Sequence, residues 1–158
     1  MRVIETITKR LSSYLEDKRI LEVACGDSEF SINALKYAKQ ILATDISLER
    51  AKRRNLIDIV ENIEFKEMNA TKLELENDSF DVSVCYNALG HLEGILNSVI
   101  SEMSRVTTQN GYLIFIATWK MDQKVLLGIE NIISKHGNLT ISENIDNKSY
   151  NILIIKKE

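Results

Sequence analysis

The chain has no proline. Its turns must come from glycine, asparagine, aspartate and serine. It has only two cysteines, Cys25 and Cys85, far apart and without metal-ligand spacing. That excludes a disulfide scaffold and a cysteine metal site, and it suits a reducing compartment. No metal is expected. No run of about 18 apolar residues occurs, so no segment is expected to span a membrane. The N-terminal stretch "MRVIETITKRLSSYLEDK" is too highly charged for a signal peptide. A cytoplasmic location is therefore expected. The formal net charge of -3 does not point to a general phosphate binder, and nucleic acid is not indicated as a partner. Repeats, low-complexity tracts and linkers are missing too.

What is present is an ordinary globular composition, 44% hydrophobic and 27% charged, which excludes predominant disorder. The 158 residues suggest one domain over 1–158. Apolar periodicity switches repeatedly between helix and strand. Residues 3–17 place Ile4, Ile7, Leu11, Tyr14 and Leu15 on one helical face. Residues 20–24, "QILATD", "IEFKEMNA", "FDVSVCYN" and "GYLIFIAT" read as strands. Helices are expected over 30–39, 47–55, 92–106 and 125–133. "LTISENI" and "YNILIIKK" close the chain as two strands around "DNKS". Strand–helix alternation with apolar strands predicts an α/β fold: a doubly wound, mostly parallel seven-stranded sheet with one antiparallel strand near the C-terminus and helices on both faces. Ligands of such sheets bind beyond the carboxyl ends of the strands, at the switch point.

The first strand ends at Ala24-Cys25-Gly26-Asp27-Ser28. A glycine there lets a ligand approach the main chain. Asp45 ends the second strand, and a carboxylate at that place can accept the hydroxyls of a ribose. Together they imply a nucleoside ligand. A pyrophosphate is disfavoured, because the loop lacks the glycines of a dinucleotide fingerprint and carries Glu22 and Asp27. A cofactor with an amine or a positive centre suits an acidic loop better.

On these motifs the chain resembles the class I S-adenosylmethionine-dependent methyltransferases of the type 11 group. "LEVACGDSEFS" is similar to their first motif, with Glu22 at the acid and Gly26 at the central glycine. "ATDIS" is similar to the second, with Asp45 at the ribose-binding acid and Ile46 against the adenine. "EMNATKL" resembles the adenine-binding segment, with Asn69 where Asp is usual and Ala70 supplying its N–H. The resemblance implies a minimal Rossmann-like methyltransferase domain that binds S-adenosylmethionine through Glu22, Ala24, Cys25, Gly26, Ser28, Asp45, Ile46, Asn69, Ala70 and Asn87. Ala24 and Ser28 replace the outer glycines of the loop.

Methyl transfer requires alignment more than a named catalytic group. Tyr86, Asn87 and His91 are the candidates for the chemical step, and Tyr14 and Trp119 for the acceptor pocket. The acceptor is not identified. The N-terminal helix, residues 1–17, is the one segment available as a lid, with Tyr14 nearest the pocket; a homodimer partner could instead complete the site. Arg50, Lys52, Arg53 and Arg54 read as a solvated helix face. Two alternatives stay open: a non-catalytic S-adenosylmethionine-binding or partner subunit, and a nicotinamide-dependent oxidoreductase.

Overall fold

Successive strand residues point to opposite faces of a sheet, and here both alternate sets are apolar. The computed structural model describes residues 1–55, 57 and 61–158. Its strands are β1 (Arg19–Val23), β2 (Gln40–Asp45), β3 (Ile63–Glu67), β4 (Phe80–Tyr86), β5 (Thr107–Ala117), β6 (Leu139–Asp146) and β7 (Asn151–Lys157). They form one sheet in the order β3-β2-β1-β4-β5-β7-β6. The pairs from β3 to β5 are parallel, and β7 runs antiparallel to both β5 and β6. The α/β expectation therefore holds, including the single reversed strand.

One face carries Ile20, Ile41, Val82, Val84, Ile114, Ile116, Ile152 and Ile154. It is covered by α1 (Val3–Arg10), α2 (Ser12–Leu15), α3 (Glu29–Ala34) and the segment leading into α4 (Glu49–Arg53). The other face carries Leu21, Val23, Leu42, Cys85, Leu113, Phe115 and Leu153. It packs against α5 (Leu89–Leu92), α6 (Leu96–Val106), α7 (Lys120–Leu126) and α8 (Ile129–Ile133). Among the described residues no helix is long and apolar enough to cross a membrane.

The N-terminal segment departs from expectation. Ile4, Ile7, Leu11 and Leu15 are at most 1% exposed and belong to the core beneath Ile20, Phe30 and Ile154. Its apolar stripe covers the sheet, so residues 1–17 are a structural layer and not a lid. Tyr14 is displaced with them to the wrong end of the sheet. It precedes β1, its ring meets Tyr112 edge-on at 5.0 Å, and its hydroxyl donates to Glu143 at 3.2 Å. Tyr112 pairs with Val82 near the amino end of β4. Tyr14 therefore cannot wall a pocket at the carboxyl edge.

Candidate functional site

The strand order reverses between β1 and β4, and the carboxyl ends of β1, β2, β4 and β5 meet there. The loop after β1 is tethered to β2 by Cys25 N–H donating to Thr44 O at 2.9 Å, and closes on itself through Ser28 N–H to Cys25 O at 2.8 Å. Within it Ala24, Gly26 and Ser28 all adopt left-handed backbone angles, φ 52°, 56° and 62°. Alternate left-handed residues fold the main chain into a tight cradle. Asp45 is held beneath it: its Oδ2 accepts the Gly26 N–H at 2.8 Å, and its Oδ1 accepts from Ser47 N–H at 3.3 Å. Ile46, next along, is 69% exposed at the edge.

Glu22 is fully buried on the α1–α3 face of β1, where Ser31 Oγ donates to its Oε1 at 2.6 Å. Its Oε2 has no hydrogen-bond partner among the described residues. Burial pushes its carboxyl up to about 8, and the charges of Asp27 and Asp45 add in the same direction against the Ser31 hydrogen bond. Burial likewise pushes the Cys25 thiol up to about 12 and raises Cys85, so neither is a thiolate nucleophile near neutral pH.

At the end of β4, Tyr86 donates its hydroxyl to Glu29 Oε2 at 3.2 Å. Burial and the Glu29 charge raise its pKa, so it is a fixed donor and not a base. Asn87 is left-handed, φ 51°, and both ends of its amide are used: Nδ2 donates to Thr118 Oγ1 at 2.6 Å and Oδ1 accepts Thr118 N–H at 2.8 Å. It clasps the ends of β4 and β5 together. His91 is exposed on α5. Trp119 is 55% exposed after β5. A cavity of about 180 Å³ brings Ala24, Cys25, Gly26, Tyr86, Asn87, His91 and Trp119 together, with Asp27, Glu29, Arg50 and Ala88 as the remaining lining.

A methyltransferase domain family model matches residues 21–115. The chain belongs to the methyltransferase domain family. An uncharacterized methyltransferase of Bacillus subtilis, YcgJ, is 24% identical over 113 residues, 70% of this chain but 44% of that protein. The matched stretch thus spans less than half of that curated relative. The PH0226 protein of Pyrococcus horikoshii has the same fold, with a TM-score of 0.83 at 23% identity over 98% of this chain and 89% of the other. So does the N-methyltransferase NodS of Bradyrhizobium japonicum, solved with S-adenosyl-L-homocysteine, with a TM-score of 0.74 at 17% identity over 97% and 85%.

The methyltransferase cradle explains the loop's departures. The three left-handed residues are those at which the resemblance places glycine, so the backbone conformation is kept where the residue type is not. A side chain in that conformation costs roughly 1–2 kcal/mol. Ser28 is also fully buried, and its Oγ has no hydrogen-bond partner among the described residues. Ser28→Gly should stabilise the fold by about 1–2 kcal/mol, and Ala24→Gly by rather less, since glycine also gains unfolded-state entropy. Urea unfolding curves that move to lower midpoints for both variants would show that the side chains are needed there.

Asn69 is held by a near neighbour. Its Oδ1 accepts from Thr71 N–H at 2.9 Å and from Thr71 Oγ at 2.7 Å. The backbone donor fixes the amide's orientation, so its NH₂ is the group left for a ligand. Ala70 follows, partly buried against the core. Among the described residues, no three His, Cys, Asp or Glu side chains cluster as metal ligands would.

Three contributors carried no site signal in the sequence. Glu29 stands at the first position of α3, where a side chain faces the cleft before the loop. Arg50, exposed on α4, also reaches back toward the loop and lines the cavity. Asp122, buried on α7, accepts Gly90 N–H at 2.7 Å through Oδ1 and so braces the α5 turn that carries His91.

Proposed function

We propose that this chain binds S-adenosylmethionine along the carboxyl edge of β1, β2 and β4 and transfers its methyl to an acceptor arriving past His91 and Trp119. The observation that carries this reading is the left-handed cradle at 24, 26 and 28 with Asp45 locked onto Gly26, in a chain of the methyltransferase family. When bound, the cofactor supplies a methyl already activated on a sulfonium. The residues present fit it. Asp45 keeps acceptor capacity for a ribose beside its two N–H contacts. Ile46 offers an exposed apolar surface to a base, and Asn69 an amide donor. The buried Ser28 hydroxyl and Glu22 Oε2 are polar atoms without partners at the loop, as a ligand's amino-acid end would require.

The chain's own task is alignment. Tyr86 and Glu29 hold each other, Asn87 fixes the strand ends, and Asp122 fixes the α5 turn. His91, exposed at the cavity mouth, is the group that can take a proton if the acceptor must lose one. We place the protein in the cytoplasm, where the buried Cys25 and Cys85 thiols stay reduced.

Asp45→Ala tests this reading. It removes a charged hydrogen-bond acceptor and releases the Gly26 amide, so S-adenosylmethionine and S-adenosylhomocysteine should both bind more weakly by about 1.5–3 kcal/mol. Calorimetric titration of the folded variant is the measurement. Unchanged affinity would remove Asp45 from the site and the proposed binding mode with it.

A further inference from the structure

The wall of this cavity contains a cation that alignment of a methyl donor does not explain. Gly26 has no side chain, and the far end of the Arg50 side chain stands in front of it. A Cβ built there would lie 2.8 Å from Arg50 Nη1 and 3.1 Å from its Cζ. Arg50 projects from α4 and lines the cavity. Its Nη2 is 4.0 Å from Asp27 Oδ2. Arg54 Nη1 approaches that same oxygen to 3.5 Å and Asp27 O to 3.5 Å. One carboxylate therefore answers two guanidiniums, with Arg50 the more distant of the two. The other charged neighbours are acids: Asp45 beneath Gly26 and Glu29 across the cavity. Arg50 is thus the positive component of an otherwise acidic wall.

We propose that Arg50 sets the ligand preference of this site, by charge against a sulfonium relative to its thioether, and by bulk against any group that seeks the Gly26 main chain. The inference rests on the S-adenosylmethionine site proposed above. S-adenosylmethionine and S-adenosylhomocysteine share every part except one methyl and one positive charge. Bulk, and the pull or push of the guanidinium on the shared amino-acid end, therefore weigh on both ligands alike, whereas its charge separates the two through the sulfonium. A cavity of about 180 Å³ is narrow, so a charge in its wall acts within a Debye length, ~8 Å at physiological ionic strength. The consequence is a site that holds its own product more firmly, relative to its substrate, than the same site without Arg50.

The test is calorimetric titration of the full chain with both ligands, for the wild type, Arg50→Met and Arg50→Ala, at low and high salt. Arg50→Met keeps length and removes charge. It should shift the affinity ratio toward S-adenosylmethionine by roughly 3–10-fold, less at high salt. Arg50→Ala should show the same shift and also tighten both ligands by uncovering Gly26. The side chain is 60% exposed, so melting temperatures should hold. An unchanged ratio in both variants overturns the charge role, and unchanged affinity for both ligands in Arg50→Ala overturns the steric one. If neither ligand binds the wild type or either variant, the proposed cofactor site falls, and this inference with it.

Discussion

A chain lacking residues 1–12 is expected not to fold. The deletion removes Ile4, Ile7 and Leu11, each at most 1% exposed, and uncovers the apolar surface of Phe30, Ala34 and Ile154 that they cover. Burying one such side chain contributes about 1.5–3 kcal/mol. Three of them account for roughly 5–9 kcal/mol, against a whole-domain stability of about 5–15 kcal/mol. The measurement is a thermal melt followed by circular dichroism, and the expected result is loss of a cooperative transition. Ile7→Ala grades the same effect within a full-length chain, and should cost about 2–5 kcal/mol because the site is closed on all sides. A truncated chain that melts cooperatively near the wild-type temperature would mean that the helix is dispensable to the core, and would restore it as a candidate lid.

The misreading of that helix shows where sequence patterning stops. The stripe of Ile4, Ile7, Leu11 and Leu15 states that the helix must be covered, but an apolar face is the same whether it meets a sheet or a ligand. Tyr14 shares the face, and nothing local reveals that it falls beside the amino end of β4. The strands fared better, because their signal is local. "QILATD" is β2 residue for residue, bounded by polar turns on either side. The antiparallel closing pair followed from a connection too short for a crossover. The order of the strands is set by which helix packs on which face, and that information is spread over the chain.

The same division runs through the site. Gly26 and Asp45 were legible because a turn and a strand end fix where they stand, and the structure joins them by one 2.8 Å hydrogen bond. Arg50 was not legible. A helix of charges reads as solvated, and the four basic residues are exposed; what the sequence does not show is that Arg50 and Arg54 also reach Asp27. The oxygen of Asn69 is claimed by Thr71 two residues on, a local competition that serine, threonine and asparagine often set up. His91 stands exposed at the cavity, and what holds it there, Asp122 bracing the α5 turn from a helix far along the chain, is not visible in its local sequence.

Glu22→Gln is expected to stabilise the protein at neutral and alkaline pH, and hardly at all in acid. Glu22 lies at 0% exposure, one oxygen held by Ser31 and the other unpaired. Burial first, then the charges of Asp27 and Asp45, raise its carboxyl from 4.5 to about 8. Below pH 4.5 the folded and unfolded chains both carry the proton, and ionisation costs the fold nothing. Between about 4.5 and 8 the unfolded chain releases the proton while the folded chain keeps it. Stability therefore falls with rising pH across that window, by about 1.4 kcal/mol per pH unit, and levels off above it. By pH 7 the loss is on the order of 3 kcal/mol. Glutamine has no proton to lose and keeps a carbonyl for the Ser31 hydroxyl. The difference in unfolding free energy between the variant and the wild type should therefore widen from pH 4.5 to 8 and stay constant beyond. Urea unfolding of both proteins at pH 4, 6, 7 and 9 measures it. Parallel curves would show that Glu22 titrates alike in both states, and so that water or a charge reaches its second oxygen in the folded protein.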